Sequence, residues 1–102
     1  MKKVSVIVPV YNAAEFLAET LDTILNQTLE DIEVIAVNDG SADNSWEILE
    51  DYAARDTRMH IIDQKNGGPS AARNNGLNHV EGDYVFFFDS DALLVEDALE
   101  LM

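Results

Sequence analysis

The sequence contains no cysteine, and it has only six lysines and arginines against twenty aspartates and glutamates. Without cysteine the chain can form no disulfide, no thiolate metal site and no cysteine nucleophile, which fits a reducing compartment such as the cytoplasm. The formal net charge of −14 disfavours nucleic-acid phosphates and anionic membrane surfaces as partners. We therefore expect a cytoplasmic location and no nucleic-acid partner.

Long hydrophobic runs are also missing. No apolar segment approaches the roughly 20 residues of a membrane-spanning helix, and the opening MKKVSVIVPVYN reaches Pro9 before a signal-peptide pattern can form. We expect no membrane span and a mature chain that begins at Met1. A length of 102 residues fits one domain but is short for an enzyme with two substrates, so we expect a longer parent protein, which could itself associate with a membrane.

Four apolar segments are predicted as β-strands, and they cover residues 4–10, 33–38, 59–63 and 83–88. Their nearly continuous apolar character indicates strands that are covered on both faces, as in a parallel sheet. Alternation with helical patterns then predicts half of a doubly wound, Rossmann-like α/β fold with the strand order 3-2-1-4 and helices on both faces. The unpaired edge of strand four would invite homodimerisation.

Three helices are predicted between these strands. The first covers residues 13–27, with Asn12 as N-cap and Glu15 completing a capping box. The second buries Trp46, Leu49, Tyr52 and Ala53 and is capped by Ser41 or Asp43. The third follows Pro69, carries Ala72, Leu77 and Val80 on its apolar side and is interrupted by Gly76, and a further helix is predicted to begin near Val95.

Polar or glycine-containing segments follow every predicted strand, at residues 9–12, 38–41, 64–70 and 89–91. Ligands bind at this end of a parallel sheet, but turn chemistry alone also explains NDGS and NGGPS. Asp89 and Asp91 would point the same way, with Cα atoms about 6–7 Å apart. No lysine or arginine lies within fifteen residues of them, so a divalent cation such as Mg²⁺ or Mn²⁺ would relieve their repulsion and could hold a phosphate. A solvated turn is the alternative.

Two further side chains have both a structural and a functional interpretation. Arg73 is the only cationic residue from Gly67 onwards, and it is either a surface helix residue or a ligand of a phosphate or base. Tyr11 is either ordinary packing or a platform for a planar ring. His60 and His79 show no metal-ligand spacing and carry no expected function.

Five motifs occur in order, VSVIVPVYN, QT at 27–28, NDGSADNS, NGGPSAARNNGL and FFFDSD, and they resemble those of the family 2 glycosyltransferases with the GT-A fold. The resemblance covers the whole chain, residues 1–102, and corresponds to the N-terminal nucleotide-sugar-binding half of that family. It implies that Tyr11 stacks on uracil, that Asp39 hydrogen-bonds the base and that Arg73 lies near the base and diphosphate. Asp91 would be the direct metal ligand, and Asp89 would lie nearer the ribose and sugar. The nucleotide-sugar-binding residues implied in this way are Pro9, Tyr11, Asp39, Arg73, Asp89 and Ser90.

The resemblance implies a Mn²⁺- or Mg²⁺-dependent transfer of a sugar from a nucleotide donor, UDP being favoured, to a saccharide or other hydroxyl acceptor, as in polysaccharide biosynthesis. Two positions depart from the family pattern, because Asn38 and Ala92 stand where the family often has acids. The general base and the acceptor region of the family lie downstream of the DxD motif, beyond Met102. We therefore expect this chain to bind the donor and to be inactive alone.

Two alternatives remain open from the residues. An apolar strand followed by DxD also resembles the opening motif of haloacid-dehalogenase-like phosphatases, with Asp89 as nucleophile and Asp91 as general acid. That motif normally opens its domain and continues with Thr or Val, whereas here it comes last and continues with Ala92. The other alternative is a non-catalytic fragment that only binds or self-associates.

Overall fold

The computed structural model of the chain describes residues 4–26, 31–82 and 84–88. The predicted helix near Val95 and the segment 89–91 lie outside these residues. Strands and helices alternate along the described chain: β1 (Val4–Val10), α1 (Ala14–Leu25), β2 (Ile32–Asp39), α2 (Ser45–Arg55), β3 (Met59–Gln64), α3 (Pro69–Leu77) and β4 (Tyr84–Phe87).

The four strands form one parallel sheet in the order β3-β2-β1-β4, which confirms the predicted topology. β1 pairs with β2 along its whole length, from Val4 opposite Ile32 to Val10 opposite Asn38. The carboxyl ends of β1, β2 and β3 therefore lie side by side. We call this end of the sheet the carboxyl edge, and the opposite end the amino edge.

Helices cover both faces of the sheet, as predicted. On one face, alternate valines of β1 and β2 pack against α1 and α2, and the buried cluster includes Val6, Val8, Val34, Leu17, Leu21, Ile24, Leu49 and Tyr52. On the other face, Ile7, Ile35 and Val37 pack with Ala72 of α3. Trp46 packs against the first cluster but is only half-buried, whereas Leu77, predicted on the apolar side of α3, is 44% exposed.

α3 continues through Gly76 and ends at Leu77, so the glycine does not interrupt the helix. A Cβ atom at this position would lie 2.7 Å from Cγ2 of Ile7 on β1. Glycine therefore lets the helix backbone approach the sheet closely, which compensates for its low helix propensity.

The prediction that all four strands are covered on both faces is wrong for β4. Tyr84, Val85 and Phe87 are 53%, 39% and 45% exposed, and in the described chain only Phe86 and Phe88 join the buried cluster from this end. The physical reason is position: β4 lies at the edge of the sheet and pairs with β1, while α3 packs over β1 and β2.

The predicted helix caps are also wrong in part. The N-cap residue of α1 is Ala13 rather than Asn12, and that of α2 is Asn44 rather than Ser41, with no capping hydrogen bond from either N-cap side chain. Asp43 does serve α2, because its Oδ1 atom accepts a hydrogen bond from the Ser45 N–H at 3.0 Å. Among the described residues, no helix combines the length and apolar character that a membrane crossing requires.

Candidate functional site

Three loops meet at the carboxyl edge. We call residues 11–13 the tyrosine loop, residues 40–44 the aspartate loop and residues 65–68 the glycine loop; they follow β1, β2 and β3 respectively. Such loops are where parallel α/β sheets bind ligands. The contacts between them determine which side chains can be presented there.

The tyrosine and aspartate loops are joined through Asn12. The backbone N–H of Asn12 donates to Ser41 Oγ at 3.0 Å, and the Ala42 N–H donates to Asn12 Oδ1 at 2.7 Å. Asn12 has a φ of 49°, in the left-handed region that asparagine tolerates better than most residues. Its side chain therefore joins two loops instead of capping its own helix.

The same junction caps the start of α1 from the neighbouring loop. Asp43 Oδ2 accepts from the Ala14 N–H at 3.1 Å, and Ser45 Oγ accepts from the Ala13 N–H at 3.2 Å. Asp43 Oδ1 accepts in turn from the Ser45 hydroxyl at 2.6 Å. Burial alone would raise the pKa of Asp43, but the hydrogen bonds from Ser45 and Ala14 outweigh it and lower the pKa. A carboxylate at the positive end of a helix is electrostatically favourable as well.

Tyr11 is displayed on this fixed junction. Its side chain is 54% exposed, which excludes the interpretation of Tyr11 as a core residue. Pro9, two residues before Tyr11, lies in β1 and is half-buried. An exposed aromatic ring on a backbone held by four cross-loop hydrogen bonds is suited to stacking on a planar ligand.

Asp39 holds the glycine loop against the end of β2. It is 3% exposed, and its carboxylate accepts hydrogen bonds from Gln64 Nε2 at 2.9 Å, the Gly67 N–H at 2.8 Å and the Gly68 N–H at 3.0 Å. Burial raises the pKa of Asp39, but these three hydrogen bonds together lower it below its ordinary value. A carboxylate offers about four acceptor positions, so about one remains for a ligand.

Glycine is required where the aspartate and glycine loops touch. Gly40 has a φ of 71°, and a Cβ atom there would lie 2.8 Å from the backbone nitrogen of Asn66. Asn66 Nδ2 also donates to the backbone oxygen of Asp39 at 3.2 Å. The glycine of NDGS therefore allows close contact between two loops as well as a turn.

Asn38, which departs from the family pattern, has a local explanation. Its Nδ2 atom donates to Asp63 Oδ1 at 3.0 Å, so an acid at position 38 would face another carboxylate. Its Oδ1 atom is buried and has no hydrogen-bond partner in the described part of the chain. The sequence alone did not indicate that Asp63 lies beside it.

The remaining predicted site residues are Arg73, Asp89, Ser90 and Asp91. Arg73 is half-buried and is the fifth residue of α3, so it lies in the second turn of that helix. Asp89, Ser90 and Asp91 lie outside the described residues, and within those residues no three acidic or histidine side chains are grouped to hold a metal. Asp39 already accepts from three protein donors.

Comparison with known proteins relates this chain to sugar-transferring enzymes. The family model "Glycosyl transferase family 2" matches residues 5–102. The uncharacterized glycosyltransferase EpsJ of Bacillus subtilis is 54% identical over 88 residues, covering 86% of this chain and 26% of that protein. Glycosyltransferase GlyA of Streptococcus pneumoniae is 48% identical over 100 residues, covering 98% of this chain and 14% of that protein.

Solved structures agree with this relationship. Residues 1–349 of S. aureus TarS in complex with UDP-GlcNAc superpose with a TM-score of 0.89 at 34% identity, covering 96% of this chain and 29% of that one. The mannosyltransferase PcManGT of Pyrobaculum calidifontis, in complex with GDP-Man and Mn²⁺, gives a TM-score of 0.84 at 31% identity, covering 90% of this chain and 28% of that one.

The chain spans about a quarter or less of the length of the two relatives named above. The phosphatase alternative receives no support from the family match or from the structures. The family match over residues 5–102, together with the strand order β3-β2-β1-β4, shows that this chain belongs to glycosyl transferase family 2 and has its Rossmann-like GT-A fold.

Proposed function

We propose that this chain is the donor-binding part of a glycosyltransferase that transfers a sugar from UDP to an acceptor hydroxyl. The observation that carries the proposal is the junction of three loops at the carboxyl edge, where the Tyr11 side chain is exposed and Asp39 anchors the glycine loop. The neighbours that bind UDP-GlcNAc and GDP-Man have the same fold and support a nucleotide-sugar donor.

Within this proposal Tyr11 and Asp39 recognise the base in different ways. Tyr11 supplies a ring face for stacking, for which its exposure of 54% leaves room. Asp39 supplies about one remaining acceptor position for a base N–H, after the glycine loop has taken three. Pro9 and Ser90 complete the proposed contacts with the nucleotide sugar.

A diphosphate would be repelled by a chain of formal charge −14 unless positive charge is supplied locally. Arg73 on α3 is one proposed source, and a cation held by Asp91 and Asp89 is the other. When bound, Mn²⁺ or Mg²⁺ would stabilise negative charge on the diphosphate leaving group. The donor set of hard carboxylate oxygens suits either ion.

The acceptor and the general base belong to the longer protein in this proposal. We therefore propose that the 102-residue chain binds the donor but transfers no sugar alone, and that the parent acts on a saccharide or other hydroxyl acceptor in polysaccharide biosynthesis. β4 lies at one edge of the sheet, so a homodimer could form there by strand pairing. The proposed location is cytoplasmic.

The test is a calorimetric titration of the chain with UDP, with and without Mn²⁺. We expect binding that Mn²⁺ strengthens by about tenfold or more, as is reasonable for one additional charge-assisted contact. Asp91→Ala should remove the Mn²⁺-dependent part of the affinity. Glu50→Ala, on the exposed side of α2, serves as the control for loss of one negative charge.

Each result has a separate meaning. Absence of UDP binding by the unmodified chain would contradict the proposed donor. UDP binding that does not respond to Mn²⁺, or that survives in Asp91→Ala at full strength with Mn²⁺, would contradict the metal role alone. Hydrolysis of a generic phosphoester that is lost in Asp89→Asn would instead favour the phosphatase alternative.

A further inference from the structure

A buried carboxylate lies at the amino edge of the sheet, away from the three loops. Glu33 on β2 is 2% exposed, and its Oε2 atom accepts hydrogen bonds from the Ser5 hydroxyl on β1 and from the Glu81 N–H at 2.7 Å. Ser5, which is fully buried, accepts in turn from the Gly82 N–H at 2.9 Å. We call Ser5 and Glu33 the amino-edge pair.

The amino-edge pair accepts hydrogen bonds from two consecutive backbone N–H groups, those of Glu81 and Gly82, which lead into β4. These donors are distant in sequence, 48 residues from Glu33 and 77 residues from Ser5. A buried carboxylate is costly unless its hydrogen bonds are made, and two apolar side chains could fill the same space without that cost. The pair therefore needs an explanation beyond filling the core.

The sequence of β4 cannot specify its own register. Residues 84–88 read YVFFF, so both faces of the strand are apolar. In the structure Val6 lies opposite Phe86 and Ile7 opposite Phe87, with Phe86 and Phe88 directed to the buried cluster. A shift by one residue would exchange the two faces, but it would still place apolar side chains on the core, so hydrophobic burial discriminates weakly against it.

Hydrogen bonding discriminates strongly. A shift of one residue would move the Glu81 and Gly82 N–H groups by about 3.3 Å relative to β1 and β2. Both donors would leave their acceptors, and Ser5 and Glu33 would lose partners inside the protein. Only the observed register keeps all of these bonds. Because unsatisfied buried polar groups are costly, the observed register is favoured over the shifted one.

We propose that Ser5 and Glu33 are positioning residues that fix the register of β4 against β1. At the carboxyl end of the strand, the Phe88 N–H donates to Ile7 O at 2.9 Å, and Asp89 follows Phe88 directly in the sequence. A change of register would therefore move the point at which the chain leaves β4 after Phe88. The consequence for a bound metal rests on the proposed function, whereas the register itself does not.

Within the proposed function, a cation held by Asp89 and Asp91 would be sensitive to such a shift, because Mg²⁺ requires near-ideal ligand distances of about 2.0–2.1 Å. A displacement of about 3.3 Å is larger than a side chain can absorb while keeping that geometry. Base recognition by Tyr11 and Asp39 depends on β1, β2 and β3 instead, so it should survive a change confined to β4. Comparing metal-dependent binding with base binding therefore distinguishes a role in β4 register from a general role in stability.

Three variants test the amino-edge pair. Glu33→Gln keeps an acceptor oxygen where Oε2 lies and is the conservative variant. Glu33→Met keeps a similar volume and removes both acceptors. Ser5→Ala removes only the hydroxyl that bonds Glu33 and Gly82, and it provides a milder variant if Glu33→Met does not fold.

The first measurement is hydrogen exchange of the Phe88 amide, with cross-strand nuclear Overhauser effects between β1 and β4 reporting register. We expect Glu33→Met and Ser5→Ala to accelerate exchange at Phe88 by about tenfold or more, the factor that corresponds to one lost buried hydrogen bond, while Glu33→Gln stays near wild type. The Val34 amide of β2, which donates to Arg58 O, is the internal reference and should change less.

The second measurement compares uridine affinity with the Mn²⁺-dependent gain in UDP affinity. Glu33→Met and Ser5→Ala should retain uridine binding within about twofold and lose about tenfold of the Mn²⁺-dependent gain. The proposal is overturned if Phe88 exchange is unchanged in both Glu33→Met and Ser5→Ala, or if exchange accelerates equally at Phe88 and Val34. It is also overturned if Glu33→Gln accelerates Phe88 exchange as much as Glu33→Met does. If the wild-type chain shows no Mn²⁺-dependent UDP binding, the proposed function fails, and the exchange data still decide the register.

Discussion

Asp39→Asn is the substitution that most directly tests how the candidate site is built. The carboxylate is buried and accepts from Gln64 and Gly67 on Oδ1 and from Gly68 on Oδ2. Asparagine has nearly the same shape but only one acceptor oxygen. If that oxygen replaces Oδ1, the new NH₂ group faces the Gly68 N–H, and two donors meet without an acceptor.

The expected cost follows from these contacts. One hydrogen bond to a charged acceptor is lost, at about 1.5–3 kcal/mol, and the two remaining bonds lose their charged partner, which makes each weaker. We expect Asp39→Asn to lower the free energy of unfolding by about 2–4 kcal/mol, a large part of the roughly 5–15 kcal/mol typical of a domain. Urea denaturation followed by circular dichroism measures this difference.

The lowered pKa of Asp39 also predicts how its contribution to stability changes with pH. Hydrogen bonds hold the pKa of Asp39 below its ordinary value in the folded chain, so the ionised group stabilises the fold above the unfolded pKa of about 4. That contribution is lost as the pH falls through the folded pKa. The difference between wild type and Asp39→Asn should therefore be full at pH 7 and should shrink steadily below about pH 4.

Asp51→Asn is the matched control. Asp51 forms an exposed ion pair with Arg55 at 2.8 Å on α2, with side-chain exposures of 67% and 61%. Such a helical pair contributes only about 0.3–0.5 kcal/mol. The reasoning is refuted if Asp39→Asn costs no more than Asp51→Asn, or if the cost of Asp39→Asn does not change between pH 7 and pH 3.

Three further outcomes are expected. Tyr11→Ala should weaken UDP binding by about 1–3 kcal/mol through loss of stacking, measured by calorimetry, while Tyr11→Phe retains it and neither changes the urea midpoint, since the side chain is 54% exposed. Gly76→Ala should destabilise the chain by about 1–3 kcal/mol in urea because its Cβ would overlap Ile7. Asn74→Ala, on the exposed side of α3, is the control and should be neutral or stabilising. A Gly76→Ala variant more stable than wild type would disprove the close contact. Tyr52→Phe should cost about 1 kcal/mol through loss of the hydroxyl bonds from α2 to α1, and an unchanged midpoint would show that those bonds contribute nothing.

The sequence was sufficient for the architecture because the relevant signals are local. Apolar runs identified the strands and helical periodicity identified the helices, and the right-handed crossover rule led to the order 3-2-1-4, which the structure confirms. The predicted order already placed strand four at the edge of the sheet, but its continuous apolar run favoured cover on both faces, so the exposure of Tyr84 and Phe87 was missed.

The site was less predictable because its contacts join residues that are far apart in sequence. Asn12 resembled an N-cap, yet its partners lie 29 and 30 residues away in the aspartate loop. Asp39 was recognised by family resemblance as a base ligand, but its role in holding the glycine loop involves residues 25 to 29 positions away. The adjacent residues Gly67 and Gly68 were the sequence signal that could have indicated this role, since adjacent glycine N–H groups can approach a carboxylate closely. The metal role of Asp89 and Asp91 stays a prediction.

The hydrogen bonds between the tyrosine and aspartate loops have a consequence for protein engineering. Asn12 joins the two loops, and Asp43 and Ser45 cap the helix that follows the first of them. A chimera that takes only one loop from a relative would pair donors and acceptors that did not evolve together. Residues 11–14 and 41–45 should therefore be transplanted as one unit when donor preference is exchanged between members of the family.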